Sequence, residues 1–196
     1  MKELTGIIVL AAGSSSRLGQ PKQLLWYKNA TLLKNIISEA SQVANSAIIV
    51  VTGSNHESIE KEITNPKIKT IFNPDWELGM SSSIATGLKE LLRLYPDITK
   101  SIFTVCDQPY ITTIIFENLI KEYQKKAKGI IASAYSETAG TPVLFHQKYF
   151  TELLQLKGQE GAKKIINKFF EDTAAVPFEK GNIDIDTIED YNKLIS

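Results

Sequence analysis

The sequence predicts a three-layer α/β/α sandwich built on a mostly parallel, twisted sheet. Short β-rich apolar runs alternate with amphipathic stretches of helical spacing from one end of the chain to the other, the pattern of successive βαβ units. The 196 residues are enough to bury one sizeable core, so one domain over 1–196 is expected. Three polar motifs fall directly after apolar strands, where open α/β sheets hold their ligands.

Gly6 to Ala12 is an apolar strand. Ala30 to Val43 places Leu32, Leu33, Ile36, Ile37, Ala40 and Val43 at helical spacing. Ala47 to Thr52 is a β-rich strand. Ser54 and Glu57 have the spacing of a capping box, predicting a helix to Ile63. Lys69 to Phe72 is a short strand. Ser81 to Leu94 sets Ile84, Leu88, Leu91 and Leu92 on one helical face, and Ser101 to Cys106 is a strand. Thr113 to Lys126 is amphipathic, gathers lysines at its end and stops before Gly129. Strands follow at Ile130 to Ala134 and Pro142 to Phe145, then a helix over Gly158 to Phe170. Ala174 to Phe178 and Ile183 to Ile185 read as short strands. Thr187, with Asp190 three residues on, caps a last helix.

Composition narrows the function. Lys+Arg and Asp+Glu both number 22, so no basic surplus argues for nucleic acid as a partner. No apolar run reaches the roughly eighteen residues of a membrane span, and no secretory leader is expected at the N-terminus. The single cysteine permits no internal disulfide. The expectation is a cytoplasmic protein with no membrane partner.

The densest motif is the segment from Leu10 through Ala11, Ala12, Gly13, Ser14, Arg17 and Gly19 to Lys22. Glycine and serine let the backbone turn and aim N–H groups at a phosphate, and Arg17 and Lys22 supply charge. Five residues separate Gly13 from Gly19 and Gln20 follows, so this is not a Walker loop, and no G-x-G-x-x-G is present. Asp107 ends the apolar run Ile102 to Val105, where an idle carboxylate is costly to bury. It lies too early to cap the helix at Thr113 and suits a Mg²⁺ ligand. Asp184 and Asp186 share a face if extended, and either is a candidate second ligand. Ser81, Ser82 and Ser83 offer hydroxyls and free N–H groups at a helix start. His56 and His146 have no partners at metal spacing, and Cys106 reads as a buried thiol.

The segment Leu10–Lys22 resembles the signature L-A-A-G-x-S-x-R-x-G-x-x-K of the nucleotidyltransferase superfamily, with its Rossmann-like fold. Together with Gly79–Ile84, Cys106–Pro109, Gly140–Phe145, Gly158–Lys163 and Asp184–Tyr191, the chain is similar to the molybdenum cofactor cytidylyltransferase branch. Ala11-Ala12-Gly13 stands where related guanylyltransferases carry Ala-Gly-Gly. The resemblance implies transfer of CMP from CTP to the phosphate of molybdenum-molybdopterin with release of pyrophosphate. It implies Arg17, Lys22 and Asp107 as catalytic residues and Asp107 and Asp186 as Mg²⁺ ligands. Nucleotide binding falls to Leu10, Ala11, Ala12, Gly13, Ser14, Arg17, Lys22, Ser82 and Ser83, and acceptor binding to Gly140, Thr141, Pro142 and Lys163. Read from its own residues, Lys163 is a solvated lysine before it is a phosphate contact. The implied partners are CTP, a phosphorylated pterin and a molybdoenzyme that receives the product. Use of GTP, another phosphorylated acceptor such as a sugar phosphate, or a cofactor-binding chaperone role are the alternatives. The family often carries Pro where Ile188 stands, and some relatives carry Gly where Cys106 stands.

Overall fold

The computed structural model describes residues 3–196 and builds them around a seven-stranded sheet. The strands are β1 (Thr5–Leu10), β4 (Ser46–Thr52), β5 (Lys69–Phe72), β6 (Lys100–Val105), β7 (Ile130–Tyr135), β8 (Thr138–His146) and β9 (Thr173–Pro177), in the order β5-β4-β1-β6-β8-β7-β9. All run parallel except β8, which is antiparallel to both β6 and β7. Two further strands, β2 (Trp26–Tyr27) and β3 (Ala30–Thr31), form a separate hairpin.

Each central strand divides its side chains between the two faces, as the period of two requires. Ile8 of β1 joins Ile49, Val51 and Phe103 under α3 (Met80–Leu94), α5 (Phe150–Leu154) and α6 (Ala162–Lys168). Ile7 and Val9 join Ile48, Val50 and Ile102 under α1 (Leu32–Ser41), α2 (His56–Lys61) and α4 (Thr113–Lys125). Helices on both faces make the predicted three layers. A third, small cluster packs Leu18, Leu25 and Leu32 around Ile185, beside α7 (Ile188–Ile195).

From β1 the chain builds outward through β4 and β5, then crosses back to β6 on the other side of β1. The carboxyl ends of β1 and β6 therefore flank a topological switch point, the usual ligand crevice of an open α/β sheet.

Several local expectations change. The capping box at Ser54 does not form. Asn55, with φ +61°, precedes α2 and its side chain caps nothing, while its Nδ2 donates to Ser54 Oγ at 3.0 Å. The helix expected from Gly158 starts only at Ala162, because the carbonyl of Gly158 accepts from Ser81 N at 3.2 Å and Ser81 Oγ at 2.8 Å. Residues Ile183 to Ile185 form no strand. The Ile185 N–H donates instead to the carbonyl of Asp107 at 2.9 Å. The box at Thr187 and Asp190 forms as expected. The β2–β3 hairpin, α5 and the reversed direction of β8 were not anticipated.

Gly87 sets how closely α3 approaches the sheet. A Cβ there would lie 2.6 Å from Ile8 Cγ2 and 2.7 Å from Val51 Cγ2, and both neighbours are stiff β-branched side chains in central strands. Gly87→Val is expected to lower unfolding free energy by about 2–4 kcal/mol, through overpacking and strain. Urea denaturation measures it, and an unchanged midpoint would contradict this packing.

Candidate active site

The loop after β1 is folded by its own polar groups. The Leu18 and Gly19 N–H groups donate to the Ser15 carbonyl, and the Lys22 N–H donates to Ser15 Oγ at 3.0 Å. Gln23, 1% exposed, donates from Nε2 to the carbonyls of Ala11 and Gly13, each at 2.9 Å. Leu18 and Leu25 anchor the loop in the small third cluster. A backbone of this kind is held from beneath while its upper surface stays open.

At the switch point, Lys22 Nζ sits between two carboxylates, 2.9 Å from Asp107 Oδ2 and 2.7 Å from Asp186 Oδ1. Asp107 follows β6, and Asp186 follows the buried Ile185 that roots its segment. Burial alone would lower the Lys22 pKa, but the two carboxylates outweigh it and hold the ammonium above its ordinary range. Burial would raise the Asp186 carboxyl, and Lys22 and Arg17 overcome this and hold it below its ordinary value. Lys22 is thus a fixed cation, not a proton acceptor. Arg17 reaches Asp186 Oδ2 at 2.7 Å with its side chain 71% exposed. A pair so exposed contributes little to stability, which leaves the guanidinium free to turn toward an anion.

These groups line a cleft of about 540 Å³. Of the residues predicted for nucleotide binding, Leu10, Ala12, Gly13, Ser14 and Ser83 line it, together with Arg17, Lys22, Asp107 and Asp186. Ala11 instead faces the core. Ser82 lies outside the cleft wall and donates to the carbonyls of Asp75 and Gly79, both at 2.8 Å. Gly140 is buried with Tyr135 Oη over it, Pro142 is buried within β8, and Thr141 donates to Gln108 Oε1 at 3.2 Å. Lys163 is exposed on α6. None of these four lines the cleft. The wall also includes Gly79, Met80, Cys106 and Gln159, from motifs quoted above without a site role, and Gln23, Trp76, Glu77 and Val105.

Gly79 permits the junction of two of these segments. It has φ +107°, and a Cβ would lie 2.4 Å from the Gly158 carbonyl oxygen, so a side chain there is excluded by both backbone and contact.

Asp184 and Asp186, which share a face only in an extended segment, part company here. No cation lies within ion-pair distance of Asp184 among the described residues. Asp184 is exposed, yet partial loss of water around its carboxyl, then the charges of Asp107 and Asp186, push it up to about 6. Cys106 is buried, and that burial, with the charge of Asp107, pushes its thiol up to about 12. A thiol so protonated is no nucleophile. His56 stacks on Phe72, and His146 Nδ1 accepts from the Lys148 N–H. Among the described residues no group of three or more His, Cys, Asp or Glu gathers as a metal cage, and no helix is long and apolar enough to cross a membrane.

Comparison with known proteins agrees with this geometry. The chain is 26% identical over 186 residues to the molybdenum cofactor cytidylyltransferase of Escherichia coli K12, covering 94% of this chain and 92% of that protein. It is 24% identical over 166 residues to the bifunctional protein GlmU of Francisella tularensis subsp. novicida, covering 83% of this chain but 35% of the relative. A crystal structure of Rv0371c from Mycobacterium tuberculosis H37Rv superposes with a TM-score of 0.84 at 26% identity, covering 98% of both chains. The MobA-like NTP transferase domain matches residues 7–174, from β1 into β9 and across both carboxyl-end loops of the switch point. By that match the chain belongs to the MobA-like NTP transferase domain family, and it is a nucleotidyltransferase.

Proposed function

We propose that the chain transfers CMP from CTP to the terminal phosphate of molybdenum-molybdopterin, releasing pyrophosphate. The observation that carries this reading is the Lys22 ammonium held between Asp107 and Asp186 at the mouth of the phosphate loop. The similarity to the cytidylyltransferase over 94% of the chain supports the choice of nucleotide and acceptor.

The reaction needs little covalent help from the protein. An oxygen of the acceptor phosphate bonds to the α-phosphorus, the bond from that phosphorus to the bridging oxygen breaks, and pyrophosphate carries off the electron pair. A phosphate monoester dianion is already a competent nucleophile, so positioning and charge neutralisation dominate. Backbone N–H groups around Gly13 and Ser14, with Arg17, receive the triphosphate. Lys22, permanently protonated, neutralises charge that develops on the phosphates.

Asp107 and Asp186 fit a divalent metal. They are hard oxygen donors from two different segments of the cleft wall, and they already converge on one cation, the Lys22 ammonium. Two carboxylates plus substrate oxygens is the donor set that Mg²⁺ takes in phosphoryl-transfer sites. When bound there, the ion supplies a Lewis acid for the phosphate oxygens.

Ala12 supports cytidine over guanosine. It lines the cleft at 5% exposure and packs into the core beneath it, and by the resemblance a residue larger than glycine at this position favours the smaller base.

Pyrophosphate release is expected with Mg²⁺ and CTP only when molybdenum cofactor from a denatured oxidoreductase is added. Release with another NTP, or with a different phosphorylated acceptor, would overturn the respective half of the assignment. Asp107→Ala is expected to reduce turnover by about 100-fold or more. Lys22 keeps its partner Asp186 in that variant, so the melting temperature should fall by no more than about 4 °C. Full turnover would exclude Asp107 from the reaction. Ala12→Gly is expected to reduce the CTP-over-GTP ratio of kcat/KM by about tenfold, the scale of one methyl group in a fitted pocket. A ratio left unchanged would remove Ala12 from base selection.

A further inference from the structure

Asn73 is buried and does not line the cleft. It is 1% exposed, and its backbone N–H donates to the Thr52 carbonyl at 2.8 Å, which fixes it to the end of β4. Its side-chain hydrogen bonds run to the turn after it and to the first turn of α3. Oδ1 accepts from the Asp75 N–H at 3.1 Å, and Nδ2 donates to Ser82 Oγ at 2.9 Å and Ser83 Oγ at 3.0 Å.

The Asp75 N–H decides which way the amide faces. A flipped amide would set Nδ2 against that N–H, donor against donor, so the oxygen points to Asp75 and both amide protons point to the serines. Each serine hydroxyl then receives a proton from Asn73 and has one of its own to give. Ser82 gives its proton to the backbone, to the carbonyls of Asp75 and Gly79. Ser83 has no protein acceptor among the described residues, yet it is 5% exposed and lines the cleft.

We propose that Asn73 is a positioning residue for the nucleotide: it makes the Ser83 hydroxyl a hydrogen-bond donor into the cleft, directed at an acceptor atom of the nucleoside. A carbonyl oxygen or an unprotonated ring nitrogen of the base is the chemistry this donor takes, and pyrimidine O2 and N3 both qualify. The inference rests on the nucleotidyltransferase reading of the cleft. Ser82, one residue earlier on the same helix, is spent on the helix entry and gives nothing to the ligand.

Asn73→Asp keeps the shape and reverses the polarity. The new carboxylate accepts the Ser83 proton, and only lone pairs remain to face the nucleotide. A double-mutant cycle with Ser83→Ala tests the relay, read by equilibrium binding of CTP with Mg²⁺ and by KM and kcat. Each single variant is expected to raise the CTP Kd and KM by about tenfold with kcat changed less than about threefold, the scale of one neutral hydrogen bond. In the Ser83→Ala background, Asn73→Asp is expected to add nothing to either constant, because its effect passes through Ser83. A role confined to the fold would instead lower the melting temperature and raise KM equally in both backgrounds, and that result overturns the proposal. So does an unchanged KM in Asn73→Asp alone. Should the aspartate variant not fold, Asn73→Ala completes the same cycle with the same expected coupling. Wild-type protein that binds no nucleoside triphosphate at all would remove the functional reading itself, whereas binding without coupling removes only the relay.

Discussion

One ammonium group holds the cleft together. Lys22 Nζ bonds to Asp107 and Asp186, and so ties the loop after β1, the end of β6 and the segment before α7. These pieces of chain are 85 and 164 residues apart from Lys22 in sequence. An ionised side chain in a partly buried site needs close partners to offset its desolvation, and here each partner also needs the cation. Two carboxylates facing each other without it would repel across the same space.

The backbone beneath is arranged to keep that triad in register. Ile185 is fully buried with Leu18, Leu25 and Leu32, and its N–H donates to the Asp107 carbonyl. One residue thus sets the position of Asp186 from both its side chain and its backbone. Gln23 does the same for the loop by clamping the carbonyls on either side of Ala12. Apolar contacts place the segments, and hydrogen bonds then fix their register. The charged groups meet because of both.

The layers were legible in sequence because each central strand is apolar on both faces and each long helix on one. Direction was not: an apolar run such as Pro142 to Phe145 reads identically whether it runs with or against its neighbours, so β8 was anticipated as a strand but not as the one reversed. Local signals failed where tertiary contacts outcompeted them. Ser54 has capping-box spacing, but its N–H is pinned to the Ala12 carbonyl and its hydroxyl is taken by Asn55. Gly158 looked like a helix start, yet its carbonyl serves the α3 entry. The triad residues Lys22, Asp107 and Asp186 were legible because each is a charged residue in or just after a strand-end motif. Asn73 and Gln23 were not, since a buried amide declares its role only through the partners that surround it. For the residues Gly140, Thr141, Pro142 and Lys163, resemblance gave positions in a motif, and none of them lines the cleft.

The two cations of the phosphate loop differ in a way that matters for the proposed reaction. Lys22 is enclosed and doubly paired, so it needs no reorganisation to present its charge. Arg17 is exposed and singly paired, so in the proposed reaction a triphosphate can draw it from Asp186 at little cost. Release of Arg17 from Asp186 would free a carboxylate oxygen at the moment a phosphate arrives. On that reading, capture of the anion and release of Asp186 Oδ2 are then one event, because both draw on the Arg17 side chain. In the proposed reaction the enclosed cation sets where the phosphates lie, and release of the exposed one frees an oxygen of Asp186.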